Sequence, residues 1–283
     1  MLKITMSLNI TPVTNHRERE KGVIVYPVYS RRSEGLSIGI NLFPDKKVCP
    51  FDCPYCEVFP FSSKAVFSLE QLEDDLHRAI SVAQKQNAII KDICFSGNGE
   101  PTLSPAFPSA LKLAEDIRAK AASSARLVII TNGAGLLQPQ IFSLLKDAAL
   151  LPTTDIWLKA DAGTEDWYNK INRSSISYEK LITAIKEFVS CSPVTIQTML
   201  CAINGEQPPE TEKQAWESLV CELAQGDGET SGIRKVQLYG KARPAPEDPL
   251  ASQLSADYLE IRAASLRSIF SEKDISIPVE IYL

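Results

Sequence analysis

The chain has 283 residues, of which 44% are hydrophobic and 23% are charged, and its formal net charge is −5 at pH 7. This composition is typical of a globular protein with a full-sized core. The acidic balance argues against a broadly basic surface, so we expect no DNA partner. Because the sequence shows neither a signal-peptide pattern at its start nor an apolar run near the roughly 18 residues of a membrane span, we expect a cytoplasmic protein without a membrane contact.

Extended segments and helices alternate along the sequence. Residues 23–29 and 36–43 have the composition of strands, and a cysteine-rich loop follows them. Apolar residues at helical spacing then predict a first helix over residues 69–83. The later predicted strands cover residues 92–97, 125–133, 155–163, 193–200 and 233–240, and the later helices cover residues 105–120, 139–149, 177–189, 212–224 and 256–270. Residues 275–283 close the chain as an extended segment.

Strand and helix alternate about six times when residues 36–43 count as the first strand. This order predicts parallel strands with crossover helices, in an open doubly wound sheet or in a complete or partial barrel. No linker rich in proline, glycine and serine divides the alternation. We therefore expect one domain over residues 35–283, preceded by an N-terminal extension of residues 1–34 and ending in a C-terminal extended segment.

Polar motifs stand where the predicted strands end. In parallel α/β folds the binding site forms at the C-terminal ends of the strands. A turn or a helix start explains each motif alone, but their common position predicts one functional site. The motifs are the cysteine loop at 47–56, GNGEPT at 97–102, TNG at 131–133, KADAG at 159–163, QTML at 197–200 and QLYGKAR at 237–243.

Three of the seven cysteines lie close together in KVCPFDCPYC. Cys49, Cys53 and Cys56 have the spacing C-x3-C-x2-C. An odd number of cysteines is a poor framework for disulfides, so we expect the clustered three to bind a metal or to react. We expect the other four to be small buried hydrophobes; they are Cys94, Cys191, Cys201 and Cys221.

Three thiols leave the identity of the metal open. A structural zinc site needs a fourth ligand, which Cys94, His16 or His77 could supply from a distance. Thiolates suit iron–sulfur clusters equally well, and a cubane cluster with three of them keeps one iron free for a small molecule. Chemistry alone favours the cluster without excluding zinc.

The sequence resembles the radical SAM superfamily. C-x3-C-x2-C with an aromatic residue, Tyr55, before the third cysteine is the signature of that superfamily, and GNGEP resembles its glycine-rich motif for S-adenosylmethionine (SAM). More narrowly, GNGEPTL, KADAG, IQTML and VQLYGKARPAP resemble the wyosine-synthase-like branch. The resemblance covers roughly residues 35–240. It implies an α/β fold, a partial (β/α)6 TIM-type barrel, with a [4Fe–4S] cluster and SAM as cofactors.

The resemblance assigns a role to the three cysteines. Cys49, Cys53 and Cys56 would ligate three irons of the [4Fe–4S] cluster, and the amino and carboxylate groups of SAM would chelate the fourth. Reduction would then cleave SAM to methionine and a 5′-deoxyadenosyl radical, chemistry that belongs to the cofactors. Tyr55 belongs to the same cofactor-binding loop.

The GNGEP motif is expected to bind the methionine part of SAM. Gly97 and Gly99, with Asn98 between them, would let the backbone approach the methionine amino group without interference from a Cβ atom. Glu100 and Pro101 would fix the turn. Glu100 has an alternative role, an interaction with the N-terminus of the following helix.

Residues on the later strands complete the expected SAM site. Asn132 could hydrogen-bond SAM or form a plain turn. Lys159 and Asp161 point to the same face of a strand; the lysine could neutralise the SAM carboxylate and the aspartate could accept from the ribose, or the two could form an internal salt bridge. Gln197 and the backbone around Leu238 are expected near the ribose and adenine.

The resemblance implies a low-potential electron donor of the flavodoxin or ferredoxin type as partner. It leaves the substrate unidentified, with an RNA base or a small molecule favoured and tRNA as one candidate. Basic residues could contact phosphates around the rim, although ordinary surface charge explains them too; they are Arg31, Arg32, Lys46, Lys47, Arg173, Lys241 and Arg243.

Two rival functions stay open from the sequence. A zinc-binding interaction module would be colourless and independent of SAM. A glycyl-radical-enzyme activase would act on a protein partner, but activases carry D-x-K where this chain has K-x-D at residues 159–161. We therefore rank both below an enzyme that modifies RNA or a small molecule.

Overall fold

Nine strands, seven α-helices and two short 3-10 helices form along residues 22–283, which are the residues that this computed structural model describes. The strands are β1 (Val25–Ser30), β2 (Gly35–Ile40), β3 (Ile90–Phe95), β4 (Arg126–Thr131), β5 (Thr154–Lys159), β6 (Pro193–Ile203), β7 (Gly232–Gly240), β8 (Ala251–Gln253) and β9 (Val279–Tyr282). The helices are α1 (Leu69–Lys85), α2 (Phe107–Ala121), α3 (Pro139–Ala149), α4 (Glu165–Ile171), α5 (Tyr178–Val189), α6 (Glu210–Leu223) and α7 (Ala256–Glu272).

The strands form one sheet in the order β1-β2-β3-β4-β5-β6-β7-β9, with β8 paired to β6. Each neighbouring pair from β2 to β7 is parallel, and β9 is parallel to β7. Only β1 and β8 pair with antiparallel neighbours within the described residues. Six successive parallel strands with crossover helices confirm the predicted partial (β/α)6 barrel.

The sheet curls far enough to bring its two ends together. Arg32, in the turn between β1 and β2, has its guanidinium carbon 4.9 Å from the centre of the Tyr239 ring in β7. The hydroxyl of Tyr282, in β9, donates to the Arg32 carbonyl at 3.5 Å. Because these strands lie at opposite ends of the sheet, the contacts require a half barrel with an interior space.

Local sequence explains where the outer helices begin and which face they bury. Ser68 caps α1 by accepting a hydrogen bond from the Gln71 backbone N–H at 3.1 Å, and Leu72, Leu76 and Ile80 form its buried face. Proline stands in the first turn of α2 and of α3, where a missing N–H costs nothing. The helices therefore cover one side of the sheet and leave its concave side to the site.

The first two extended segments form an antiparallel hairpin, and the expected boundary at residues 34 and 35 lies at its turn. The sequence prediction missed α4 and β8. Helix α4 has seven residues and begins at a cap, Thr164, and β8 has three residues after a proline-rich stretch. Both are too short to show a periodic pattern.

No helix within the described part of the chain is long and apolar enough to span a bilayer.

Truncation of Leu266 tests the docking of α7 on β7 and β9. Leu266 is 0% exposed, so Leu266→Ala removes buried methyl groups and should lower the free energy of unfolding by about 2–5 kcal/mol. Ile261, on the same helix, is 66% exposed, and Ile261→Ala should change it by less than about 0.5 kcal/mol. Urea unfolding followed by circular dichroism measures both. Equal losses for the two variants would contradict this docking.

Candidate active site

A cavity of about 330 Å³ lies on the concave side of the half barrel, a size found among small-molecule sites. Ten of the fourteen predicted site residues are among its lining residues: Cys49, Cys53, Tyr55, Cys56, Gly97, Gly99, Glu100, Asn132, Lys159 and Gln197. The structure thus brings all six motifs together in one cavity. The motif QLYGKAR contributes Tyr239 and Arg243 to the wall. The common position of the strand ends explains this convergence.

Two asparagines reach the cysteine thiols from neighbouring parts of the barrel. Asn132, directly after β4, places its side-chain amide 3.4 Å from the sulfur of Cys49. Asn172, at the end of α4, places its amide 3.6 Å from the sulfur of Cys53. Its carbonyl also accepts from the Asp52 backbone N–H at 3.0 Å. These contacts fix a loop that otherwise lacks helix and strand.

The GNGEP motif is paired through its backbone to the start of the cysteine loop. Val48 donates to the Asn98 carbonyl at 3.2 Å and accepts from the Glu100 N–H at 2.9 Å. A Cβ atom on Gly99 would lie 2.0 Å from the Val48 carbonyl oxygen. Gly97 has φ +122°, a conformation that other residues rarely adopt. Both glycines are therefore required by the geometry of this backbone.

Glu100 holds the end of β4 against the GNGEP turn. Its carboxylate accepts from the Thr131 hydroxyl at 2.7 Å and from the Asn132 backbone N–H at 2.7 Å. It also accepts from the hydroxyl of Thr102 at 2.6 Å and from its N–H at 3.2 Å. Burial raises the pKa of Glu100, while the bonds from Asn132 and Thr102 oppose the rise. The contact with Thr102 agrees with the alternative role as a cap of the following turn.

Lys159 and Asp161 form the internal salt bridge that the sequence left open, with 3.3 Å between nitrogen and oxygen. Asp161 also accepts from the Met199 backbone N–H at 2.9 Å, from Asn172 at 2.9 Å and from the Tyr55 hydroxyl. The carboxylate thus joins the cysteine loop, α4, β5 and β6. It has four protein donors and does not line the cavity, so its expected contact with the ribose gains no support.

Lys159 does line the cavity and keeps its charge there. Its ammonium group lies 5.1 Å from the ring centre of Tyr55 and 5.0 Å from that of Tyr239, and it donates to the Tyr239 hydroxyl. Burial opposes the charge, but Asp161 and Tyr239 outweigh it and raise the pKa of Lys159. A retained positive charge suits the expected contact with a carboxylate.

Three other predicted residues lie outside the cavity wall. The Asn98 side chain donates to the Phe43 carbonyl at 3.3 Å. Pro101 begins a buried short helix, Pro101–Leu103. Leu238 is 0% exposed in the core, while its neighbour Tyr239 faces the cavity. Their roles are those of support for the loop and the strand.

Sequence reasoning missed Asn172 and Tyr239 as site residues, whereas Arg32 is one of the basic residues that the sequence predicts at the rim. Asn172 and Arg32 stand in no motif, and their contacts join segments far apart in the chain. Tyr239 stands inside QLYGKAR, where the period of two along a strand could have separated it from Leu238.

The residues present fit an iron–sulfur cluster with SAM. Three thiols stand in one cavity wall, and the amides of Asn132 and Asn172 supply hydrogen bonds to sulfur. Within residues 22–283, no three His, Cys, Asp or Glu side chains are arranged to hold a single metal ion. Of the possible fourth zinc ligands, Cys94 lines the cavity, His77 is exposed on α1, and His16 lies outside the described residues.

A sequence model of the Radical SAM superfamily matches residues 46–214, which contain the cysteine loop, GNGEP and KADAG. This chain belongs to the radical SAM superfamily. The family implies a [4Fe–4S] cluster and SAM as the cofactors, and the predicted cofactors are thereby confirmed at the level of the family. A UPF0026 protein of Helicobacter pylori (strain J99) is 30% identical to this chain over 171 residues. That alignment covers 56% of this chain and 52% of the relative. The chain spans about half the length of the curated relatives it matches.

Three solved structures share the fold of this chain. A radical SAM methyltransferase from Sphaerobacter thermophilus has a TM-score of 0.61 at 15% identity, over 91% of this chain and 69% of that chain. SuiB of Streptococcus suis, bound to SAM, has a TM-score of 0.62 at 12% identity, over 83% and 48%. TYW1 with a lysine–pyruvate adduct has a TM-score of 0.53 at 16% identity, over 82% and 73%. At these identities the likeness concerns the fold alone.

Gly99→Ala should disturb the cysteine loop without touching a thiol. The added methyl collides with the Val48 carbonyl, so the iron bound after anaerobic reconstitution should fall at least several-fold. At Gly240, which also lines the cavity, a Cβ atom meets Leu259 at an ordinary 3.5 Å, and Gly240→Ala should keep its iron. Iron analysis of both purified variants is the measurement, and full iron content in Gly99→Ala would contradict the role of this pairing.

Asp161→Asn should destabilise the protein because an amide cannot accept from Tyr55, Asn172 and Lys159 together. The lysine is partly exposed, so we expect a loss of about 1–3 kcal/mol in the free energy of unfolding. Asp116→Asn is the matched control, since Asp116 pairs with Lys112 on an exposed face of α2. It should change stability by less than about 1 kcal/mol. Urea titration compares them, and equal effects would show that the Asp161 contacts contribute little.

Proposed function

We propose that this chain is a radical SAM enzyme that cleaves SAM reductively and abstracts a hydrogen atom from an RNA base or a small molecule. The observation that carries the proposal is that Cys49, Cys53 and Cys56 line the same cavity as Gly97, Gly99 and Lys159. Membership of the superfamily supports it. A closed zinc site or a surface module would not require an interior cavity beside three thiols.

When bound, the reduced [4Fe–4S] cluster would supply one electron for cleavage of the S–C5′ bond of SAM, the chemistry that yields methionine and a 5′-deoxyadenosyl radical able to take a hydrogen atom from the substrate. The chain provides position and electrostatics. Asn132 and Asn172 orient the thiols that hold the cluster, and the Gly97–Gly99 backbone leaves room for the methionine end of SAM. Lys159 supplies a positive charge for the carboxylate of SAM.

The electron comes, in this proposal, from a low-potential donor of the flavodoxin or ferredoxin type. The cysteine loop is accessible from outside, because the side chain of Asp52, next to Cys53, is 70% exposed. A donor can thus approach the cysteine side of the cavity.

Anaerobic reconstitution with iron and sulfide, followed by reduction in the presence of SAM, tests the proposal. We expect a brown protein that forms 5′-deoxyadenosine, measured by liquid chromatography. Replacing Cys49, Cys53 or Cys56 with alanine should lower both cluster content and 5′-deoxyadenosine at least 100-fold, because each thiol holds one iron.

Cys94→Ala is the matched control, since Cys94 lines the same cavity outside the motif. It should keep both signals, whereas a four-cysteine zinc site would lose its metal. A colourless wild-type protein with one zinc ion, or full cluster without 5′-deoxyadenosine, would overturn the proposed function.

A further inference from the structure

The cavity is lined by more positive than negative side chains, although the chain as a whole has a formal net charge of −5. Among the residues that the structure describes, four cationic side chains and two carboxylates stand in its wall, a local excess of two positive charges (4 − 2). The cations are Arg31, Arg32, Lys159 and Arg243, and the carboxylates are Glu57 and Glu100. Glu100 and Lys159 belong to the cofactor side described above. Three arginines and one glutamate are left for another ligand.

One hydrogen bond and two aromatic rings hold the guanidinium group of Arg32. Its Nη1 donates to the Gln197 side-chain oxygen at 3.2 Å, and its guanidinium carbon lies 5.6 Å from the ring centre of Trp157 and 4.9 Å from that of Tyr239. Among residues 22–283, it makes no other side-chain hydrogen bond and no ion pair within 4.0 Å. The Arg32 guanidinium group therefore lines the cavity with N–H donors that make no bond to the described residues.

Arg31 precedes Arg32 in the turn between β1 and β2, and Arg243 lines the same cavity. Burial, then Arg243 and Arg32, lower the pKa of Arg31, while Glu57 opposes the shift. Arg243 pairs with Glu57 at 2.8 Å, whereas Arg31 has no ion pair in the described part of the chain. Gathering three like charges with one carboxylate is unfavourable, and an anion between them would remove the excess.

We propose that this arginine cluster, Arg31, Arg32 and Arg243, binds the phosphate group of a small phosphorylated substrate. The inference rests on the proposed function and names the substrate class of the same site. Guanidinium groups bind phosphate through paired N–H donors, and a phosphomonoester carries about −1.5 to −2 charges near neutral pH, which matches the local excess. The rest of the substrate extends into the cavity towards the cysteines.

The same contacts favour a small molecule over RNA. A nucleic-acid surface needs a continuous basic path, but two of the basic residues expected at the rim are paired within the protein. Arg173 pairs with Asp52 at 3.2 Å and donates to Glu247 at 2.9 Å. Lys241 pairs with Asp248 at 2.7 Å. Over residues 22–283, Arg31 and Arg32 have no ion pair and line the cavity, which favours an anion inside it.

Calorimetric titration of the reconstituted protein tests the inference with inorganic phosphate and ribose 5-phosphate as probes. Both should bind, and ribose without phosphate should not. Arg32→Gln should raise the dissociation constant for either probe at least tenfold, and Arg31→Gln, at an exposed position, at least threefold. Arg78→Gln is the matched control, since Arg78 lies on α1 and pairs with Asp75 at 3.0 Å. It should bind the probes like wild type.

Other results of these titrations would overturn the inference. Absence of phosphate binding, or equal binding by wild type, Arg31→Gln and Arg32→Gln, would overturn the inference. Binding of a short single-stranded RNA that Arg32→Gln weakens, without binding of ribose 5-phosphate, would overturn it in favour of RNA. Cluster content and 5′-deoxyadenosine are measured on the same samples. Failure of the proposed function therefore appears as loss of those signals, and failure of this inference appears as loss of phosphate binding alone.

Discussion

The backbone pairing of Val48 with the segment around Gly99 is the constraint on which the site depends. Between Cys49 and Phe61 the chain has no helix or strand, so the positions of the thiols depend on this backbone pairing and on contacts with Asn132 and Asn172. The pairing requires glycine at position 99, since the Val48 carbonyl occupies the place of a Cβ atom. One glycine thus couples the expected cluster ligands to the expected SAM loop.

A buried carboxylate performs a similar task on the other side of the cavity. Asp161 accepts from groups on the cysteine loop, α4, β5 and β6. It therefore acts on the cofactor site by positioning Tyr55 and Lys159 rather than by facing the cavity. Four satisfied bonds offset the cost of burying the charge, which an incomplete set would not do.

Curling of the sheet brings two chemically different regions into the wall of one cavity. At the cofactor side stand thiols, glycines and one lysine, and at the side where β7 and β9 approach the β1–β2 turn stand three arginines. The two regions face the same space of about 330 Å³. The fold thus places a thiol-lined region and an arginine-lined region in one cavity.

The alternation of strands and helices, the three cysteines and the GNGEP motif could be predicted from the sequence, because periodicity and motif spacing are local properties of the chain. Folding was needed to show that Asp161 does not line the cavity, that Leu238 is core while Tyr239 lines the site, and that the Arg32 side chain packs against Tyr239 in β7. These outcomes depend on which distant groups meet. Residues such as Asn172 and Arg32 gain their roles from closure of the half barrel, which brings together segments that no sequence spacing relates.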